Sequence, residues 1–137
     1  MKSKSYGEIA AEDFKTAEYL FDGRLFNPSV KYMQQFVEKC FKEIIVRLGN
    51  PESNEDILLL RTHNINSLAK RVEELLGITF SREDNLHFRS LNGLYFTTTY
   101  PGDSYEDVDA ETATEALEWC RGFKERMRGL QPELCRW

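Results

Sequence analysis

Between Asn27 and Gly49, the apolar residues Met33, Phe36, Val37, Cys40, Phe41, Ile44, Ile45 and Leu48 recur at spacings of three and four. Placed on a helix, they cover roughly half the circumference, more than the ~100° stripe needed to dock on a single neighbour. Whatever this chain folds into has to surround that helix, with its own elements or with another chain. The remaining side carries Gln35, Glu38, Lys39 and Lys42. Gln35–Lys39 and Glu38–Lys42 are four residues apart, the second in the favourable acid-before-base order. This predicts a self-paired polar face turned to solvent.

The rest of the chain reads as helices to enclose it. Ala10, Phe14, Ala17 and Phe21 give a first helix from about Tyr6 to Phe21, stopped by Asp22-Gly23. Asn27-Pro28 predicts the start of the second, with a capping side chain and proline at the first helical position. Gly49-Asn50-Pro51 ends it. Residues 51–63 stay open: Ile57 to Leu60 fits one helical turn packed under a loop. Ile65, Leu68, Val72 and Leu75 predict a helix ending at Gly77. Ser81-Arg82-Glu83-Asp84 resembles a capping box ahead of a helix through Leu91, Leu94 and Tyr95, broken at Tyr100-Pro101-Gly102. An acidic loop, Asp103 to Asp109, leads into a last helix with Ala113, Ala116, Cys120, Phe123 and Met127 on its stripe, closed by Gln131-Pro132. Thr97 to Tyr100 is β-prone but too short and isolated for a sheet. The expected fold is all-α, an antiparallel up-and-down four-helix bundle with one extra short helix. It forms one domain over 1–137, with flexible tails at 1–5 and 131–137. Phe14, Val37, Cys40, Leu68, Leu91, Ala116 and Phe123 are the expected core.

Charge and cysteines narrow the function classes. Eighteen basic against 23 acidic residues give −5, which offers no global attraction to nucleic acid or anionic membrane. Contact with RNA requires a local basic patch. No apolar run approaches the ~20 residues of a membrane span, and no signal-type apolar core follows Met1 to Ser5. Cys40, Cys120 and Cys135 form no CxxC, and two of them sit in apolar stripes, as in a reduced cytoplasmic protein. No glycine-rich phosphate loop, zinc spacing or nucleophile beside a base is visible, so neither cofactor nor metal is implied.

Several motifs together resemble the HEPN domain, a family of small helical bundles. They are Asp13, Ala17 and Leu20 in the first helix; Gln34-Gln35, Glu38-Lys39 and Lys42 in the second; and Thr62-His63-Asn64 ahead of Leu68, similar to the family's His-Asp-Leu segment. The last is Tyr95 followed by Thr98-Thr99-Tyr100-Pro101, similar to its closing tyrosine and threonine-arginine-tyrosine-proline. The match runs from about Glu8 to Arg128. Asn64 stands where an aspartate is usual and Thr99 where an arginine is usual. The resemblance implies a four- or five-helix bundle that usually dimerises. It also implies links to nucleotide or RNA binding, often beside a nucleotidyltransferase protein in toxin–antitoxin pairs. Some members are metal-independent ribonucleases carrying an arginine, four to six residues, then a histidine.

Arg82 and His87 have that spacing. In such a ribonuclease His87 moves a proton while Arg82 holds the phosphate. With ten arginines and two histidines in the chain, one such spacing has little specificity. A separation of five residues also sets the two side chains ~140° apart on a regular helix, so convergence needs a second copy. Lys39 and Lys42 are candidate phosphate contacts, although Glu38 and Glu43 lie among them. His63 is a candidate ligand contact with no acid near it in sequence, and Tyr95 and Tyr100 are candidates for stacking a base. Trp119 borders the core stripe and is a candidate interface anchor. The reading that results is a cytoplasmic, homodimeric HEPN-like binding or partner module without catalysis of its own, for nucleotide, RNA or a nucleotidyltransferase partner. The alternatives are a ribonuclease toxin using Arg82 and His87 across a dimer cleft, and an adaptor whose site has decayed.

Overall fold

The computed structural model describes residues 3–137; Met1 and Lys2 of the expected N-terminal tail lie outside the described residues. Six helices follow in order: α1 (Tyr6–Asp22), α2 (Phe26–Leu48), α3 (Asn54–Leu59), α4 (Ile65–Leu76), α5 (Arg82–Thr97) and α6 (Ala110–Leu130). No strand occurs among the described residues. The all-α expectation stands, but with five long helices and one short one rather than four long and one short. α2 is the axis: α1, α4, α5 and α6 all pack on it. This accounts for its wide apolar arc within a single chain, so the arc itself calls for no second copy.

Most element ends obey local chemistry. Ser5, Ser53, Asn64, Ser81 and Asp109 cap α1, α3, α4, α5 and α6, each accepting a backbone N–H from the first turn. Gly77 closes α4 in the left-handed region, at φ 66°. The start of α2 departs from expectation. The helix begins at Phe26 with Leu25 at its cap position and no side-chain cap, so Pro28 falls in the first turn rather than at its first residue. Asn27 is drawn away by the 105–108 loop. Its Oδ1 accepts from the Val108 amide at 2.8 Å, and its Nδ2 donates to Asp107 at 2.9 Å and to the Tyr105 hydroxyl at 3.1 Å.

α1 lies close on α2 through small residues. Ala10 and Ala17 are buried, and the buried Ser29 hydroxyl donates to the Ala17 carbonyl at 2.7 Å. Gly7 permits the approach at the other end, where an added Cβ would stand 2.8 Å from a Glu43 carboxylate oxygen. Elsewhere the core is aromatic. Phe123 of α6 meets Phe36, Phe41, Phe80, Phe88 and Trp119, with ring centroids 5.1–6.5 Å apart. All seven core residues expected from periodicity are buried. The expected flexible tail at 131–137 is a correction: Cys135 and Trp137 are buried, and Trp137 stands edge-on to Phe36. The sequence shows no period there because the segment follows the core surface through turns.

Phe123→Ala removes the ring that joins the aromatic clusters of α2, α5 and α6. A loss of about 3–5 kcal/mol is expected, measured as a drop in the denaturant midpoint with the slope unchanged.

Candidate functional site

The polar side of α2 is not solvated. Gln34, Glu38 and Lys42 are 1 %, 0 % and 4 % exposed, and the turn leading into α4 lies directly against Gln34 and Glu38. A buried carboxylate survives only when its charge is answered, and Glu38 has three partners. Lys42 Nζ donates to its Oε2 at 3.2 Å, Lys39 Nζ lies 3.4 Å from the same oxygen, and His63 Nδ1 lies 3.0 Å from Oε1. The network continues along the helix. Lys39 donates to Gln35 Oε1 at 2.7 Å, Gln35 Nε2 donates to Gln34 Oε1 at 2.7 Å, and Gln34 Nε2 donates to the His63 carbonyl at 2.8 Å. Both expected i,i+4 pairs form, as part of the interior rather than the surface. Asp13 of α1 belongs to the same neighbourhood: partial burial raises its carboxyl above the ordinary value, with Lys39 opposing.

This network fixes His63. An ionised Glu38 only accepts, so the imidazole Nδ1 carries the hydrogen and Nε2 is the acceptor of the neutral ring. The side chain is 73 % exposed. The arrangement presents one oriented imidazole edge to solvent, able to bind a donor or take its proton. The acid partner is 25 residues away in sequence, which is why the chain alone did not show it. The turn that carries His63 is held from several sides. Asn64 Oδ1 accepts from Asn66 N and Ser67 N, and Asn92 Oδ1 of α5 accepts from Ile65 N.

The other expected site residues lie apart from one another. His87 stacks on Trp119, with centroids 4.9 Å apart and planes 10° apart, and lines a cavity of about 710 Å³. Arg82 is exposed at the start of α5 and does not line it. The arginine that does is Arg126, gripped bidentately by Asp84 at 2.7 and 2.8 Å. Burial raises the Asp84 carboxyl, but Arg126 and the Trp119 Nε1–H at 2.9 Å outweigh it, and the net shift is downward. Trp119 is thus a buried partner of Asp84, not an exposed anchor. Asp84 also departs from the capping-box pattern, since its side chain answers α6 instead of the α5 cap. Glu83, Glu115 and Glu118 line the same cavity. At the end of α5, Tyr95 is half-buried, Tyr100 is exposed and packs on Phe96 at 5.1 Å, and the Thr99 hydroxyl turns back to the Tyr95 carbonyl.

Four long helices packed on α2, with its Gln-Gln…Glu-Lys…Lys block set against the Thr62-His63-Asn64 turn, match what the motifs imply. The family model for the HEPN domain matches residues 3–130. The chain belongs to the HEPN domain family. No curated protein and no solved structure matches this HEPN chain. Among its described residues no helix is long and apolar enough to cross a membrane.

Two outcomes test these polar clusters. Glu38→Ala strands Lys42, whose side chain is 5 % exposed, and is expected to cost about 3–5 kcal/mol. Adding Lys42→Met should restore much of that loss, and a double-mutant cycle measures the coupling. The second is acid stability. Asp56, held by Arg71, and Asp84 both titrate below the ordinary carboxylate value, so the stability they contribute is complete above about pH 4 and is lost as pH falls through their folded values. Asp56→Asn and Asp84→Asn should lower the neutral-pH plateau and flatten the acid limb of stability against pH.

Proposed function

We propose that this HEPN domain is a dimeric binding or partner module, working in the cytoplasm on nucleotide, RNA or a nucleotidyltransferase partner, without catalysis of its own. The character of the His87 cavity carries this reading. A phosphodiester approaching His87 meets three glutamates and one arginine already committed to Asp84. Electrostatic stabilisation of a phosphoryl transition state requires uncommitted positive charge there, and Arg82 of the same chain does not line the cavity. Of the other residues expected to hold a ligand, Lys39 and Lys42 are occupied by Glu38. They act by fixing His63, whose exposed imidazole and the exposed Tyr100 are the groups left to meet a ligand or partner.

The expected result is no RNA cleavage by purified protein, with His87→Ala and Arg82→Ala leaving nucleotide or partner binding unchanged. Sedimentation at tens of micromolar should give twice the chain mass. RNA cleavage that disappears with His87→Ala would establish the toxin reading instead, with Arg82 delivered across the dimer. A monomer at that concentration would remove both the dimeric module and that cleft.

A further inference from the structure

A concavity of about 640 Å³ opens between the start of α4 and the middle of α5. Asn64, the cap of α4, and Asn66 and Lys70 line one side; Asn85, Arg89, Asn92 and Gly93 line the other. Asn66 and Lys70 are four residues apart, as are Asn85, Arg89 and Gly93, so each set shares a helix face. The four asparagines form a connected ladder. Asn92 Nδ2 donates to Asn64 Oδ1 at 3.2 Å and Asn66 Oδ1 at 3.0 Å, using both its hydrogens. Asn85 Nδ2 donates to the Ser81 carbonyl at 3.0 Å.

Accounting for every hydrogen shows what is left over. Asn64 Oδ1 takes three donors, which sets the orientation of its amide and leaves its two N–H groups turned to solvent, with no acceptor among the described residues. Asn66 Nδ2 spends one hydrogen on the Asn85 carbonyl and keeps the other. Lys70 and Arg89 are exposed and have no ion-pair partner among the described residues. Although the chain has 23 acidic residues, none lines this concavity. It is donor-rich and acid-free, the reverse of the His87 cavity.

We propose that this concavity binds a phosphate ester, with Lys70 and Arg89 holding its charge and the Asn64 and Asn66 amides donating to its oxygens. A carboxylate offers two oxygens and one charge, too few for two cations and three amide hydrogens. A phosphate group has the oxygens to use them, and arginine's planar fork suits it bidentately. The volume falls within the ~300–1,000 Å³ typical of small-molecule sites, so it admits a nucleoside beside the phosphate. Gly93 leaves the α5 wall open, since an added Cβ there meets nothing within 4 Å. The inference rests on the nucleotide and RNA arm of the function proposed above, and the source of the phosphate is either a mononucleotide or a single RNA strand.

The test follows side-chain amide signals by NMR on the full chain, titrated with inorganic phosphate, AMP, a short single-stranded RNA and, as a carboxylate control, acetate. The Asn64 and Asn66 side-chain amides and Arg89 Nε should shift with phosphate-bearing ligands and not with acetate. Affinity should fall at least tenfold in Lys70→Gln/Arg89→Gln and in Gly93→Glu, which sets a carboxylate in the open wall; a thermal melt checks that each variant is folded. If RNA is the source, it binds more tightly than AMP, and its salt slope drops by about 0.7 for each cation removed. If a mononucleotide is the source, AMP binds at least as tightly as RNA. Ligand binding equal in wild type and all variants overturns the site and leaves the nucleotide-binding reading standing. No binding of phosphate, AMP or RNA to the wild type overturns both, leaving only the protein-partner arm. Equal shifts with acetate overturn the phosphate assignment.

Discussion

Glu38 sits at the middle of the central helix with none of its surface exposed, and much of the fold is arranged around that fact. An isolated carboxylate cannot be taken out of water at such a depth, whereas one gripped by two ammonium groups and an imidazole can. The requirement fixes which face of α2 meets the turn into α4. Rotating α2 by one residue would bury Glu38 without His63 and expose part of the apolar arc. Apolar packing alone tolerates sliding and repacking; a buried charge with specific partners does not. The polar block thus sets the rotational register of the helix on which every other long helix packs.

The same logic recurs at the periphery. Asp56, 1 % exposed, accepts the Asn50 amide at 2.7 Å and both nitrogens offered by Arg71 of α4. That pair ties short α3 to α4, and with it the connection that ends at His63. Asp84 does the equivalent for α5 and α6, where it joins Arg126 and Trp119. Apolar burial supplies the bulk of the stability, and three carboxylates, each shared between elements distant in sequence, specify how the segments are seated. Asp56 and Asp84 lose their charge as pH falls through their lowered folded values, so acid acts on the seating of α3 against α4 and of α5 against α6.

Much of the fold was legible in the sequence because periodicity reports burial directly. The stripes of α1, α4 and α6 gave their core faces, and Ser81, Gly77 and Gln131-Pro132 gave boundaries. What periodicity cannot report is which neighbour covers a polar face. The spacing of Glu38 and Lys42 reports a pair, and the pair forms, but in the interior rather than at the surface, because the residue that meets Glu38 from the other side, His63, lies 25 positions later. Asp84 looked like a capping acid because the arginine that claims it lies 42 residues on. Asn27 looked like a cap for the same reason, its true partners being in the 105–108 loop. The asparagine ladder carried no signal at all: amides have no charge or hydropathy pattern, and only the packing of α4 on α5 shows that they converge.

The distribution of uncommitted charge bears most directly on function. Lys39, Lys42, Arg71 and Arg126, spread over α2, α4 and α6, are all paired with acids, and the chain's net charge is negative. Attraction for an anionic ligand then depends on where an unpaired cation stands away from acids. Around His87 that condition fails, because glutamates outnumber the single committed arginine. Between α4 and α5, Lys70 and Arg89 have no ion-pair partner among the described residues and no acid lines their concavity, although Glu106 lines the adjoining hollow that shares Arg89 and Gly93. The two surfaces lie on opposite flanks of α5, one built with Asp84 and His87, the other with Asn85 and Arg89. A single helix thus separates a face crowded with carboxylates from one whose two cations have no ion-pair partner among the described residues, and the proposed phosphate site lies on the second of them.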